Sequence, residues 1–151
     1  MSEDSSAATA GGSPAIPYGK PLPEPTPVTQ PFWDAAREGR LLLQRSKKTG
    51  KAIFYPRSVS PFGPDDELEW FEASGRGAIY TYTVGRRPVA PQWANDPPLI
   101  IAIVELEEGP HMTTNIVDCD PDAVKVGMPV TAVFDAVTPE VTLVKFRPVS
   151  G

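Results

Sequence analysis

Apolar residues change period twice along this 151-residue chain. Over residues 30–38, Phe32, Trp33 and Ala36 recur at spacings of three and four, which places them on one face of a short helix. Pro31 suits the first helical turn, Thr29 or Gln30 the cap, and Gly39 the exit. So short a helix cannot stand alone in water, so the pattern predicts an anchor packed against another element. From Leu41 the period shortens. LLLQR and AIFYPR read as short strands around the turn SKKTGK, and SPFGPDD is a second turn. The two turns would then lie at opposite ends of a small hairpin-like unit.

From Gly75 onward the pattern is all β. AIYTYTV (78–84) and HMTTNIV (111–117) alternate, and LIIAIVEL (99–106) reads as a buried strand. PVTAVFDAV (129–137) and VTLVKFR (141–147) complete five. DPDAVKVG (120–127) begins on Asp120-Pro121 and leaves through Gly127, which predicts one turn of helix between the third and fourth strands. Five strands with that connection fit an OB-fold barrel, whereas an immunoglobulin-like sandwich needs about seven strands. The predicted class is therefore mainly β: a short helix and small ribbon, then a five-stranded OB barrel.

Residues 1–27 carry Ser, Ala, Gly and closely spaced prolines, too little apolar surface to offset the entropy of ordering. They read as a disordered or extended tail with polyproline character near 21–27, or as an arm that wraps a partner. The expected division is tail 1–27, helix plus ribbon 28–72, and barrel 73–151. Net charge is −5 and the sequence pI about 4.9, which argues against general attraction to nucleic acid or an anionic membrane. A single cysteine, Cys119, cannot form an internal disulfide and points to a reducing compartment. With no signal-type apolar run and no span-length stretch, a cytoplasmic protein is expected.

Two knuckle-like turns carry Ser46-x2-Thr49 and Ser60-x2-Gly63. Cysteines at those four positions would make a strong zinc signature, but hydroxyls do not ionise near neutral pH and glycine offers no ligand. Downstream, His111 and Cys119 are too few to rebuild a site, so no zinc is expected. The flanking Asp118 and Asp120 should raise the Cys119 thiol pKa, and no convincing nucleophile–base set surrounds His111, which reads as a structural or surface histidine.

The run from PFWDAAREGR through FYPR to SGRGAIYTYTV resembles the rubredoxin-like ribbon of DUF35 proteins, which pair it with an acyl-CoA-associated OB domain. PPLIIAIVELEEGPHMTTNIVDCDPDAVKVGMPVTAVFDAV and KFRP are similar to that OB domain, and the resemblance spans about residues 28–149. The family's four cysteines would fall on Ser46, Thr49, Ser60 and Gly63. With those ligands lost, packing by Phe54, Tyr55, Val59, Phe62 and Trp70 should hold the ribbon. The resemblance implies a non-catalytic accessory subunit of a thiolase-like, aldolase or hydratase enzyme acting on acyl-CoA, in lipid, steroid side-chain or aromatic metabolism. It further implies an α2β2 hetero-oligomer, no cofactor of the chain's own, and acyl-CoA held at a shared interface.

Two clusters could supply that interface. Arg40, Arg45, Lys47, Lys48, Lys51 and Arg57 fall in a stretch with no Asp or Glu between Gly39 and Pro64, then Asp65, Asp66, Glu67, Glu69 and Glu72 follow. The basic turn is either a solvated face or a contact for CoA phosphates or an acidic partner surface. The long loop 85–98 carries Arg86, Arg87 and Trp93, either an interface anchor or a lid on the barrel mouth. Two other functions compete: a nucleic-acid-binding OB module, and an acyl-CoA hydratase or lyase acting alone. The acidic balance and the lack of interleaved basic and aromatic residues oppose the first. The lack of an acid–base set opposes the second.

Overall fold

A computed structural model of the chain describes residues 18–149. Of the tail expected over 1–27, residues 1–17 lie outside the described residues. The predicted helix is α1 (Gln30–Arg37), with Pro31 in its first turn and Phe32, Ala35 and Ala36 buried. Thr29 stands at the cap position without capping through its side chain. It pairs instead with Thr26, whose backbone N–H donates to Thr29 Oγ1 at 2.9 Å. The chain leaves through Gly39 at a φ of 75°, a conformation that suits glycine.

The ribbon has three strands where the sequence pattern indicates two. Strands β1 (Leu42–Ser46), β2 (Ala52–Ile53) and β3 (Leu68–Glu72) form an antiparallel sheet in the order β2-β1-β3. The missed strand β3 pairs along all of β1, from Leu42 opposite Glu72 to Ser46 opposite Leu68. Its acidic residues disguised it as a turn. In the sheet they answer the basic run: Arg45 lies directly opposite Glu69, with Nε to Oε1 at 2.7 Å, and Lys47 reaches Glu67 at 2.8 Å.

The five remaining strands, β4 (Arg76–Gly85), β5 (Leu99–Leu106), β6 (His111–Ile116), β7 (Pro129–Ala136) and β8 (Thr142–Pro148), close a barrel in the order β4-β5-β6-β8-β7. This is the OB arrangement expected from the strand pattern. Period-two alternation sends Ile100, Ala102, Val104 and Leu106 of β5 inward. Gly77 allows β4 and β5 to approach closely, because a Cβ there would stand 2.6 Å from the Glu105 carbonyl oxygen. Segment 120–127 does not form the expected helical turn. Asp120 Oδ1 accepts the Asp122 N–H at 2.9 Å in an Asx turn, and β-branched Val124 is then buried in the core rather than continuing a helix.

Ribbon and barrel share one core: Phe32, Ala36, Leu41 and Leu43 join Ile79, Val130 and Phe146 in a single buried cluster. Phe54 and Trp70 pack against it as expected. The other proposed ribbon packers do not. Tyr55, Val59 and Phe62 are 59%, 65% and 44% exposed. Their loops are held by polar contacts instead of by apolar burial.

Candidate functional site

Strand β6 has only one full neighbour. It pairs with β5 from Ile100–Ile116 to Glu105–His111, but its parallel contact with β8 consists of the single pair Ile116–Phe146. Beyond that pair, Thr114 Oγ1 bridges the seam by donating to the Val144 carbonyl at 2.9 Å. A cavity of about 310 Å3 occupies this gap, walled by Phe32 and Trp33 of α1, Phe54 of the ribbon, and Met112, Leu143 and Val144 of the barrel. A second cavity, of about 370 Å3, lies beneath the 85–98 loop against Arg87, Val89, Trp93, Leu99 and Ile101. Thr113, Thr114 and Asn115 line both cavities, so the two form a groove divided by β6.

The groove is mainly apolar, and several of its polar groups are engaged. Asn115 Nδ2 donates to the Ile100 carbonyl at 3.2 Å, and Lys145 Nζ pairs with Asp135 at 2.6 Å. Asp96, at the loop end, is bridged by Lys20. No free acid–base pair faces the groove among the described residues. Its walls are suited to apolar groups.

The sequence-derived candidates distribute unevenly around this groove. Arg87 and Trp93 line it, Trp93 at the end of the 3-10 turn Pro91–Trp93. Arg86 does not line either cavity and pairs with Asp122 at 3.0 Å. In the basic turn, Arg45 and Lys47 are neutralised by Glu69 and Glu67, and Arg45 also stacks on Phe71. The hydrogen bond to Glu67, reinforced by its charge, raises the Lys47 pKa, and the same contact lowers that of Glu67. Lys48, Lys51 and Arg57 make no ion pair among the described residues, so a contact with phosphates would rest on these three. Arg57 is fixed through its backbone, which exchanges hydrogen bonds of 2.7 and 2.9 Å with the Gln44 side chain.

His111 pairs with Glu105 across the strands at 3.1 Å and stacks on Tyr80 at the surface. The Cys119 thiol pKa is raised by burial first and the Asp120 charge second. The groove residues Thr113, Thr114, Asn115 and Lys145 were missed from the sequence. One signal was present: the polar run Thr113-Thr114-Asn115 interrupts a strand whose inward neighbours are Met112 and Ile116.

The four knuckle positions do not fit zinc. Ser60 Oγ donates to Asp66 Oδ2 at 2.5 Å, and Ser46 Oγ accepts the Thr49 N–H at 3.0 Å. Gly63 sits at a φ of 143°, where a cysteine would be strained. Among the described residues no group of three or more His, Cys, Asp or Glu side chains could hold a metal.

A short helix and three-stranded ribbon, sharing their core with a five-stranded OB barrel, define a ribbon-plus-OB class of protein. Family models agree on both parts: the rubredoxin-like zinc ribbon domain of ChsH2 matches residues 33–59, and its C-terminal OB-fold domain matches residues 70–135. A DUF35 domain-containing scaffold protein of Methanocaldococcus jannaschii is 41% identical over 105 residues, covering 68% of this chain and 73% of that protein. The chain belongs to the DUF35 family. A probable enoyl-CoA hydratase alpha subunit of Thermomonospora curvata is 36% identical over 118 residues, 78% of this chain. The match spans only 36% of that longer relative. A solved structure described as an Ltp2-ChsH2(DUF35) aldolase superposes with a TM-score of 0.75 at 33% identity, covering 84% of this chain and 98% of the matched one.

Proposed function

We propose that this chain is a non-catalytic accessory subunit of an acyl-CoA-processing enzyme of the aldolase or hydratase type. The observation that carries this reading is the match along 98% of a DUF35 chain from an aldolase structure. The hydratase alpha-subunit relative points to the same substrate class. The groove supports a binding role: its apolar walls suit an acyl chain or an apolar anchor of the partner, and it offers no acid–base set. In this reading the 85–98 loop, with Arg87 and Trp93, forms the partner-facing rim, and Lys48, Lys51 and Arg57 are the charges available to CoA phosphates.

The test is affinity purification of the tagged full chain from its native host, with identification of whatever chain elutes in stoichiometric amount. An aldolase, hydratase or thiolase-like enzyme is expected, and its activity on an acyl-CoA should fall when the chain is removed. Recovery of the chain alone, or with nucleic acid, would overturn the reading. So would acyl-CoA turnover by the isolated chain.

A further inference from the structure

The two serines at the former metal positions have a common arrangement. In the first knuckle, Ser46 Oγ accepts the Thr49 N–H at 3.0 Å, and in the second, Ser60 Oγ accepts the Phe62 N–H at 3.1 Å. Each hydroxyl thus anchors its own turn through a backbone donor and still has its proton to give. The second knuckle's proton goes to a buried carboxylate: Ser60 Oγ donates to Asp66 Oδ2 at 2.5 Å. Asp66 Oδ1 also accepts the Lys48 N–H at 3.2 Å from within the first knuckle. Ser46, Ser60 and Asp66 are only 1%, 7% and 8% exposed, so water cannot readily replace any partner.

We infer that the Asp66 carboxylate is the ribbon's central cross-link, an anion gathered by hydroxyl and backbone donors where related ribbons use a cation gathered by thiolates. The polarity of the centre is inverted while its connectivity is kept: each knuckle presents one donor to the middle, the Lys48 N–H from the first and the Ser60 hydroxyl from the second. A buried carboxylate is retained only where donors surround it, and charge-assisted hydrogen bonds are the stronger kind. Those bonds hold the Asp66 pKa low, which agrees with an ionised centre. The device also accounts for the exposed Tyr55, Val59 and Phe62, since loops tied to a polar hub need little apolar burial. Its consequence is a ribbon that keeps Phe54 against the groove without metal, and without thiols open to oxidation.

The test uses the full chain and three measurements: thermal melting with and without a strong chelator, melting with added zinc, and amide exchange. Wild type should melt unchanged by chelator or by equimolar zinc. Asp66→Asn should lower the melting temperature by roughly 5 °C. It should speed exchange at the amides of Lys48, Thr49 and Phe62 while leaving β5 protected. If that variant does not fold, Ser60→Ala removes one donor alone and should give the same local exchange at Phe62 with a smaller melting shift. A chelator-sensitive or zinc-stabilised wild type would overturn the inference. Unchanged melting and unchanged knuckle exchange in both variants would do the same.

Discussion

Thr114→Val tests how the barrel closes at its thinnest seam. The substitution is close to isosteric and removes one atom's chemistry, the hydroxyl that donates to the Val144 carbonyl at 2.9 Å. Thr114 is 8% exposed, so no solvent takes its place. The lost hydrogen bond is worth about 1 kcal/mol, and the stranded carbonyl adds a desolvation cost of about 1 kcal/mol more. Burying a methyl in place of the hydroxyl returns part of this, by less than about 1 kcal/mol. The net expectation is a loss of about 1–2 kcal/mol, or roughly 3–6 °C in melting temperature. Because β6 and β8 share only the Ile116–Phe146 pair, the damage should concentrate at their junction. Amide exchange should therefore quicken at Val117, whose N–H donates to the Phe146 carbonyl at 2.8 Å, before it changes in β5. Denaturant melts read the global term and exchange reads the local one. Equal stability together with unchanged Val117 exchange would refute the idea that this hydroxyl substitutes for missing ladder bonds.

Three further outcomes follow from the geometry. Gly77→Ala forces a methyl to 2.6 Å from a backbone oxygen, so β4 and β5 must separate. A loss of about 1–3 kcal/mol is expected in denaturant melts, and wild-type stability would show that the strands give way freely. Arg87→Ala with Trp93→Ala should leave the melting temperature of the isolated chain nearly unchanged but weaken the partner complex at least about tenfold by titration calorimetry. Co-elution at wild-type affinity would remove the 85–98 loop from the interface. Acid should loosen the ribbon: the hydrogen bond from Ser60 lowers the Asp66 pKa, and Lys47 lowers that of Glu67. Depressed carboxylate pKa values add stability that is fully present above the unfolded value of about 4 and lost as pH falls through the folded values. Knuckle amide exchange measured from neutral pH downward should thus rise, after correction for intrinsic rates, below about pH 4. A flat corrected profile would contradict this.

The linear sequence determined whatever depends on local period and punctuation. Alternation over 78–84 and 111–117, the buried apolar run over 99–106, the helix over 30–38 with its glycine exit, and five barrel strands could be read because each signal lies within a few residues of its cause. The knuckle positions Ser46, Thr49, Ser60 and Gly63 were legible for the same reason, since their spacing is local. Tertiary structure alone decided how distant charges and polar groups meet. Glu67 and Glu69 read as a turn until β3 was seen to lie beside β1, where they answer Lys47 and Arg45. The cavity between α1, the ribbon and β6 opens because β6 and β8 part after one pair, a pairing between segments distant in sequence. Asp66 was one acid among the five from Asp65 to Glu72. Its role comes from the Ser60 hydroxyl and the Lys48 N–H, 6 and 18 positions away, which folding brings to the same carboxylate.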